Sequence, residues 1–96
     1  MIERHVTFNV LPGKEEAFEK LFVEEYRPAM SKIPGFVSVR LLREQEEASH
    51  YQMVICFTSL EMAAAWRASE PHAELRPKIH ALYQGSSVVV YDVVAP

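Results

Sequence analysis

The run from Ser87 to Val94 holds Val88, Val89, Val90, Tyr91, Val93 and Val94, a β-branched and aromatic density that only an extended strand accommodates comfortably. Its apolar residues fall on both faces, so such a strand must be covered from two sides. The stretch from His50 to Thr58 makes a similar demand: Tyr51, Met53, Ile55 and Phe57 alternate on one face, with Gln52, Val54 and Cys56 on the other. A chain of 96 residues that covers one side of such a sheet with its own helices has nothing left for the other. A second copy packed sheet to sheet is the simplest cover, since most soluble oligomers are symmetric homo-oligomers.

The rest of the chain supplies the helices and the remaining strands. Ile2, Arg4, Val6, Phe8 and Val10 alternate with Glu3, His5, Thr7 and Asn9, a first strand with one largely apolar face, closed by Leu11-Pro12-Gly13. Ala17, Phe18, Leu21, Phe22, Tyr26 and Met30 then form a helical stripe between carboxylates concentrated near its start, which predicts a helix over 14–32. Pro28 lacks an amide proton and clashes with the preceding turn, so a kink or break is expected near Tyr26 or Arg27. Pro34-Gly35 leads into a second strand over Phe36 to Arg43, and the polar segment Glu44 to Ser49 reads as a hairpin loop into the third.

Thr58-Ser59-Leu60-Glu61 has capping-box spacing, with Thr58 as the cap of a helix that carries Met62, Ala63, Ala65 and Trp66. That helix is expected to continue past an interruption at Glu70-Pro71 through Leu75, Ile79 and Leu82, to stop at Gly85. The order strand, helix, strand, strand, helix, strand is ferredoxin-like: one α+β domain spanning 1–96, with a four-stranded antiparallel sheet.

Ten Lys and Arg against thirteen Asp and Glu give a net charge of −3, and the basic residues scatter through the sequence with no cluster, so a nucleic-acid footprint is missing. Cys56 is the single cysteine, which excludes an intrachain disulfide and a multi-thiolate zinc cage and suits a reducing cytoplasm. No apolar run approaches the ~18 residues of a membrane span, and the charged start does not read as a signal peptide.

Catalytic signatures are sparse: no glycine-rich phosphate loop, no HExxH and one aspartate, Asp92. Any redox chemistry would draw its electrons from the substrate or from a ligand that leaves no sequence motif. Of four histidines, His72 and His80 stand eight apart, which is not the spacing of a helical metal pair; His5 and His50 read as interface or solvated residues. Trp66 and Met62 share a helix face, and Trp66 with Phe8, Phe18, Phe22 and Tyr26 is placed to fill the space between sheet and helices, as core or as pocket wall. Nothing adjacent in sequence activates Cys56.

Leu11-Pro12-Gly13-Lys14 opening the first helix, Ile33-Pro34-Gly35-Phe36 entering the second strand, Leu41-Leu42-Arg43 leaving it and Trp66-x-x-Ser69-x-x-His72 in the second helical region occur in an order familiar from one group of proteins. The sequence resembles the antibiotic biosynthesis monooxygenase family over about residues 2 to 94. That resemblance implies a dimeric α+β barrel with a ligand cleft between sheet and helices, and a homodimeric enzyme that oxidises a quinol, anthrone or similar phenol with dioxygen and no metal or organic cofactor. It implies Trp66 and His72 as catalytic residues, the first orienting the substrate and the second acting as base or donor. Phe8, Phe22, Tyr26, Met62 and Ser69 are the expected pocket residues, Ser69 as a cap or orienting group. A haem-degrading branch of the same superfamily uses a strand-one Asn, the helix Trp and a later His. Here those places fall on Val6 (His5 or Thr7 if the register slips by one), Trp66 and Leu75 or Arg76, with His72 and His80 on either side. A ligand-binding dimer without turnover is the third alternative, because a fold does not fix a function.

Overall fold

The alternation at the start of the chain becomes β1 (Ile2–Val10), and the computed structural model, which describes residues 1–96, places it inside a four-stranded antiparallel sheet. With β2 (Phe36–Arg43), β3 (His50–Phe57) and β4 (Tyr83–Asp92), the spatial order is β2-β3-β1-β4, the ferredoxin-like arrangement the sequence predicts. The helical segments are α1 (Glu15–Leu21), a π-helical turn (Phe22–Tyr26) running into α2 (Arg27–Met30), α3 (Leu60–Arg67) and α4 (Glu70–His80).

Register fixes the two faces of the sheet. Val6 lies opposite Met53 on one side and Val88 on the other, while Phe8 faces Tyr51 and Ile2 faces Phe57. On this face Ile2, Phe8, Val10, Val39, Tyr51, Met53, Ile55 and Phe57 join Phe18, Leu21, Phe22, Tyr26, Met30, Ala63, Trp66, Leu75 and Ile79 from the helices in one core. Each large apolar side chain fully buried there contributes about 1.5–3 kcal/mol relative to exposure.

Pro28 does not break the first helix; the π-helical turn just before it carries the chain through. The Arg27 amide donates to the Phe22 carbonyl, five residues back. The turn has a packing consequence. Phe18, Phe22, Tyr26 and Met30 repeat every four residues, and an α-helix would rotate each about 40° past the last. Wider winding over one turn reverses part of that drift, so all four are buried, at 1%, 4%, 8% and 0% exposure.

Gly35 is required at the entry to β2. Its φ is +85°, and a Cβ there would lie 2.7 Å from the Met62 Cβ and 2.8 Å from the Thr58 hydroxyl oxygen.

Two sequence expectations shift. The cap of α3 is Ser59, not Thr58: its hydroxyl accepts from the Met62 amide at 3.3 Å, and the chain is still extended at Ser59. The last strand begins at Tyr83, not Ser87, and runs through Gly85, which pairs with Asn9 and does not stop the helix. Helix α4 has already ended at His80, where Ala81 donates back to Pro77 and Ile79.

The second face of the sheet carries no helix. Val54 and Cys56 are buried there, outside the core, while Leu42, Val89 and Tyr91 remain 40%, 50% and 48% exposed. Between them His5 stacks 4.6 Å from Tyr91, its Nε2 is 2.7 Å from a Glu3 carboxylate oxygen, and the Gln52 amide reaches its Nδ1 at 3.2 Å. Burial, and after it the Glu3 charge, push the Cys56 thiol up, away from an activated thiolate. No helix is long and apolar enough to cross a membrane.

Candidate active site

Helix α4 seats Leu75 and Ile79 in the core and leaves the sheet beside β4 uncovered, which opens a cleft of about 420 Å³ between the helices and the sheet. Its floor is the core-side face of the strands: Val6, Phe8, Met53, Ile55 and Val88, with Arg4 among them. Tyr26 from the π-helical turn, Arg67 from the end of α3, and Tyr83 and Ser86 from β4 complete the walls together with α4. From α4, His72, Arg76 and His80 point to the cleft at four-residue intervals, one stripe of the helix, with Ile79 beside them.

The alignment of α4 starts at Ser69. This residue stays extended, accepts from the His72 amide at 3.3 Å and donates to the Trp66 carbonyl at 2.6 Å, so one hydroxyl caps α4 and ties it to α3. Pro71 occupies the first turn, where a missing amide proton costs nothing. Trp66, 1% exposed, stands edge-on to both Tyr26 (5.5 Å between ring centroids) and His72 (5.2 Å). It is the brace behind two groups that face the cleft. On the other side, Tyr83 is edge-on to His80 at 5.4 Å and to Phe8 at 5.0 Å.

Electrostatics here run one way. Burial, followed by the charges of Arg76, Arg4 and Arg67, holds the His72 imidazole below its usual pKa of 6.5, so it is neutral at pH 7. Arg4 is itself drawn down, by burial first and then by Arg67. Burial pushes the Tyr26 phenol up, against the pull of Arg4 and of the Trp66 indole, and keeps it protonated.

Of the residues singled out in the sequence, Phe8, Tyr26 and His72 meet in this cleft, with Trp66 directly behind. Three others lie elsewhere. Phe22 borders a separate groove with Val23, Arg27 and Leu41. Met62 packs under Gly35, and the Ser69 hydroxyl is consumed by its cap. The sequence reading missed Arg4, Arg67, Arg76, His80, Tyr83 and Ser86. Two signals were there to find: Arg4 interrupts an apolar strand face, and His72 and His80 are two four-residue steps apart with Arg76 midway. Tyr83 and Ser86 fell before the residue at which the last strand was expected to begin.

The haem-degrading arrangement does not fit. Val6, in the place of the Asn, is apolar floor, and Leu75, in the place of the His, is 6% exposed core; Arg76, the neighbouring register, has no lone pair for iron. No group of three or more His, Cys, Asp or Glu side chains is arranged to hold a metal ion.

A ferredoxin-like subunit with a cleft between helices and sheet is the architecture of a known class of small α+β proteins. The family model for antibiotic biosynthesis monooxygenases matches residues 1–78, and the chain belongs to that family. Among solved structures, the cofactor-independent oxygenase SnoaB from Streptomyces nogalater superposes with a TM-score of 0.88 at 21% identity, over 99% of this chain and 94% of SnoaB. A Nitrosomonas europaea protein provisionally assigned as an antibiotic biosynthesis monooxygenase gives 0.88 at 17% identity, over 99% of this chain and all of its own. A conserved Methanosarcina mazei protein gives 0.85 at 16%, over 94% and 89% of the two chains. At these identities the likeness is one of fold. No curated protein matches in sequence.

Proposed function

We propose that the cleft is the active site of a monooxygenase that oxidises a small aromatic quinol, phenol or anthrone with dioxygen, the phenolate itself supplying the electrons. The observation that carries this reading is a neutral imidazole set among three guanidinium groups over an apolar floor. Family membership and the fold shared with SnoaB support it.

His72 accepts the acidic proton of the substrate, and the positive field of Arg4, Arg67 and Arg76 stabilises the resulting phenolate. The electron-rich anion gives one electron to dioxygen; the radical pair collapses to a peroxide on the ring carbon, and loss of water leaves a carbonyl. For a ring CH₂ the balance is CH₂ + O₂ → C=O + H₂O, one oxygen atom retained and the other leaving with both hydrogens. Phe8, Val6, Met53 and Ile55 give a water-poor surface for the ring. Trp66 does not touch the substrate in this account; it is a positioning residue that holds the His72 and Tyr26 rings. The working form is a homodimer, a second copy covering Val54, Leu42, Val89 and Tyr91 on the helix-free face.

The test is oxygen uptake with a panel of naphthalene and anthracene quinols and anthrones, autoxidation subtracted, beside His72→Gln. Uptake above background that collapses in the variant is the expected result. Saturable binding of the same compounds without uptake would make the protein a ligand-binding dimer, and a hemin-dependent Soret shift would redirect the site to haem.

A further inference from the structure

The chain carries thirteen acidic residues and ten basic ones, yet the cleft is lined by three arginines and no carboxylate. This asymmetry is the reverse of the molecule's net charge of −3. Outside the cleft three of the seven basic side chains find acidic partners: Lys78 sits 2.7 Å from Glu25, Arg43 3.1 Å from Glu19 and Lys20 4.0 Å from Glu24. Arg4, Arg67 and Arg76 have no carboxylate within 4 Å and make no side-chain hydrogen bond, although Arg4 is drawn into the sheet between Ile55 and Val90.

Gathering like charges around a half-buried guanidinium costs stability unless an anion joins them. A single phenolate, formed transiently during the reaction, offsets only one of these three positive charges and only while it lasts. We propose that the substrate carries a permanent carboxylate on its aromatic skeleton, held by Arg67 and Arg76 at the mouth of the cleft with Arg4 beneath. The planar fork of a guanidinium matches a carboxylate in two parallel hydrogen bonds, and two such forks define its orientation. With the carboxylate fixed at the Arg67–Arg76 side, the ring lies on Phe8, Val6 and Met53, and its reactive hydroxyl faces His72. The arginines thus set both the substrate class and which ring position meets the base. The inference rests on the cleft being the substrate site, and it is separable from the oxygenase reading because it concerns binding.

Two redox-inert, isosteric probes test it: 2-naphthoate and 2-naphthamide, titrated calorimetrically into the full-length protein. The naphthoate should bind at least tenfold more tightly, and its affinity should fall as salt is raised while that of the amide stays level. In Arg67→Gln/Arg76→Gln, both exposed positions on helix surfaces and safe for folding, the preference should disappear with the amide's affinity unchanged. Arg4→Gln alone, checked for an intact fold by its melting curve, should reduce the preference in part. Equal affinities for the two probes, no measurable naphthoate binding, or a preference that survives the double variant would each overturn the proposal. Oxygen uptake measured on the same samples distinguishes the two readings. Selective naphthoate binding with no uptake from any quinol removes the oxygenase and leaves the carboxylate site; uptake without selectivity does the opposite.

Discussion

Trp66→Phe separates a positioning role from a packing role, because the stability cost can be bounded in advance. Trp66 is 1% exposed and belongs to the core, so the substitution removes the five-membered half of a fully buried ring system. The apolar area lost is roughly 40 Å², about 1 kcal/mol at the usual coefficient. The gap left behind, on the order of 40 Å³, adds about another 1 kcal/mol. A total near 2 kcal/mol lowers Tm by roughly 8–16 °C in a domain of this size. Even with an initial stability of only about 5 kcal/mol, about 3 kcal/mol remains, and under 1% of the molecules are unfolded at room temperature, roughly. Packing loss alone therefore leaves turnover within about 1% of normal in a room-temperature assay. Loss of the edge-on brace at 5.2 Å against His72 and 5.5 Å against Tyr26 should instead reduce kcat by about tenfold or more, the order of effect expected when a misplaced group loses its near-attack geometry. Oxygen uptake and thermal melting on one preparation decide it. A variant with the lower Tm and unimpaired kcat would refute the positioning role and return Trp66 to the core.

His72 is held below its ordinary pKa, so turnover should show an acid limb with its midpoint below 6.5; His72→Gln should lose the limb and about a hundredfold or more in rate. An unchanged pH–rate profile removes His72 from the chemistry. The same depression has a linked effect on stability: the fold prefers the neutral imidazole and binds fewer protons than the unfolded chain. This contribution is whole above the unfolded value and is lost as pH falls through the folded one, which urea melts of wild type and His72→Gln between pH 7 and pH 5, roughly, would register. Gly35→Ala should cost about 2–3 kcal/mol, from the positive φ and the encroachment on Met62 and Thr58, read as a lower denaturation midpoint at constant m. Light scattering at micromolar concentration should give twice the 11.0 kDa chain mass, and Tyr91→Lys, on the helix-free face, should return it to the monomer value. A wild-type mass of 11.0 kDa would refute the homodimer.

Much of the fold was legible because strand and helix periods are local. The alternation at Ile2–Val10 and His50–Phe57 needs only neighbouring residues to be read, and Pro34-Gly35 and Pro71 mark boundaries by backbone chemistry. Pro28 announced a disturbance but not its form: whether a helix breaks or widens depends on what waits beneath, and burying Phe18, Phe22, Tyr26 and Met30 together selected the wider turn. Gly85 was misleading for a similar reason. A glycine after a helical pattern reads as its stop, yet pairing with Asn9 on β1 recruits it into the strand.

The site divides along the same line. The sequence by itself determined the order of elements, the apolar side of each strand, the demand for cover on a second sheet face, and Phe8, Tyr26, Trp66 and His72 as residues of interest. Only the tertiary structure decided that Arg4 from the first strand, Arg67 from the end of one helix and Arg76 from the middle of the next surround one cleft, and that Trp66 stands behind it. Composition shows those arginines as scattered, sixty-three and nine residues apart along the chain. Periodicity reports which way a side chain points from its own element. Which side chains from different elements converge is set by sheet register and by where the helices dock, so the charge of the cleft, opposite in sign to that of the whole chain, exists only once the chain has folded.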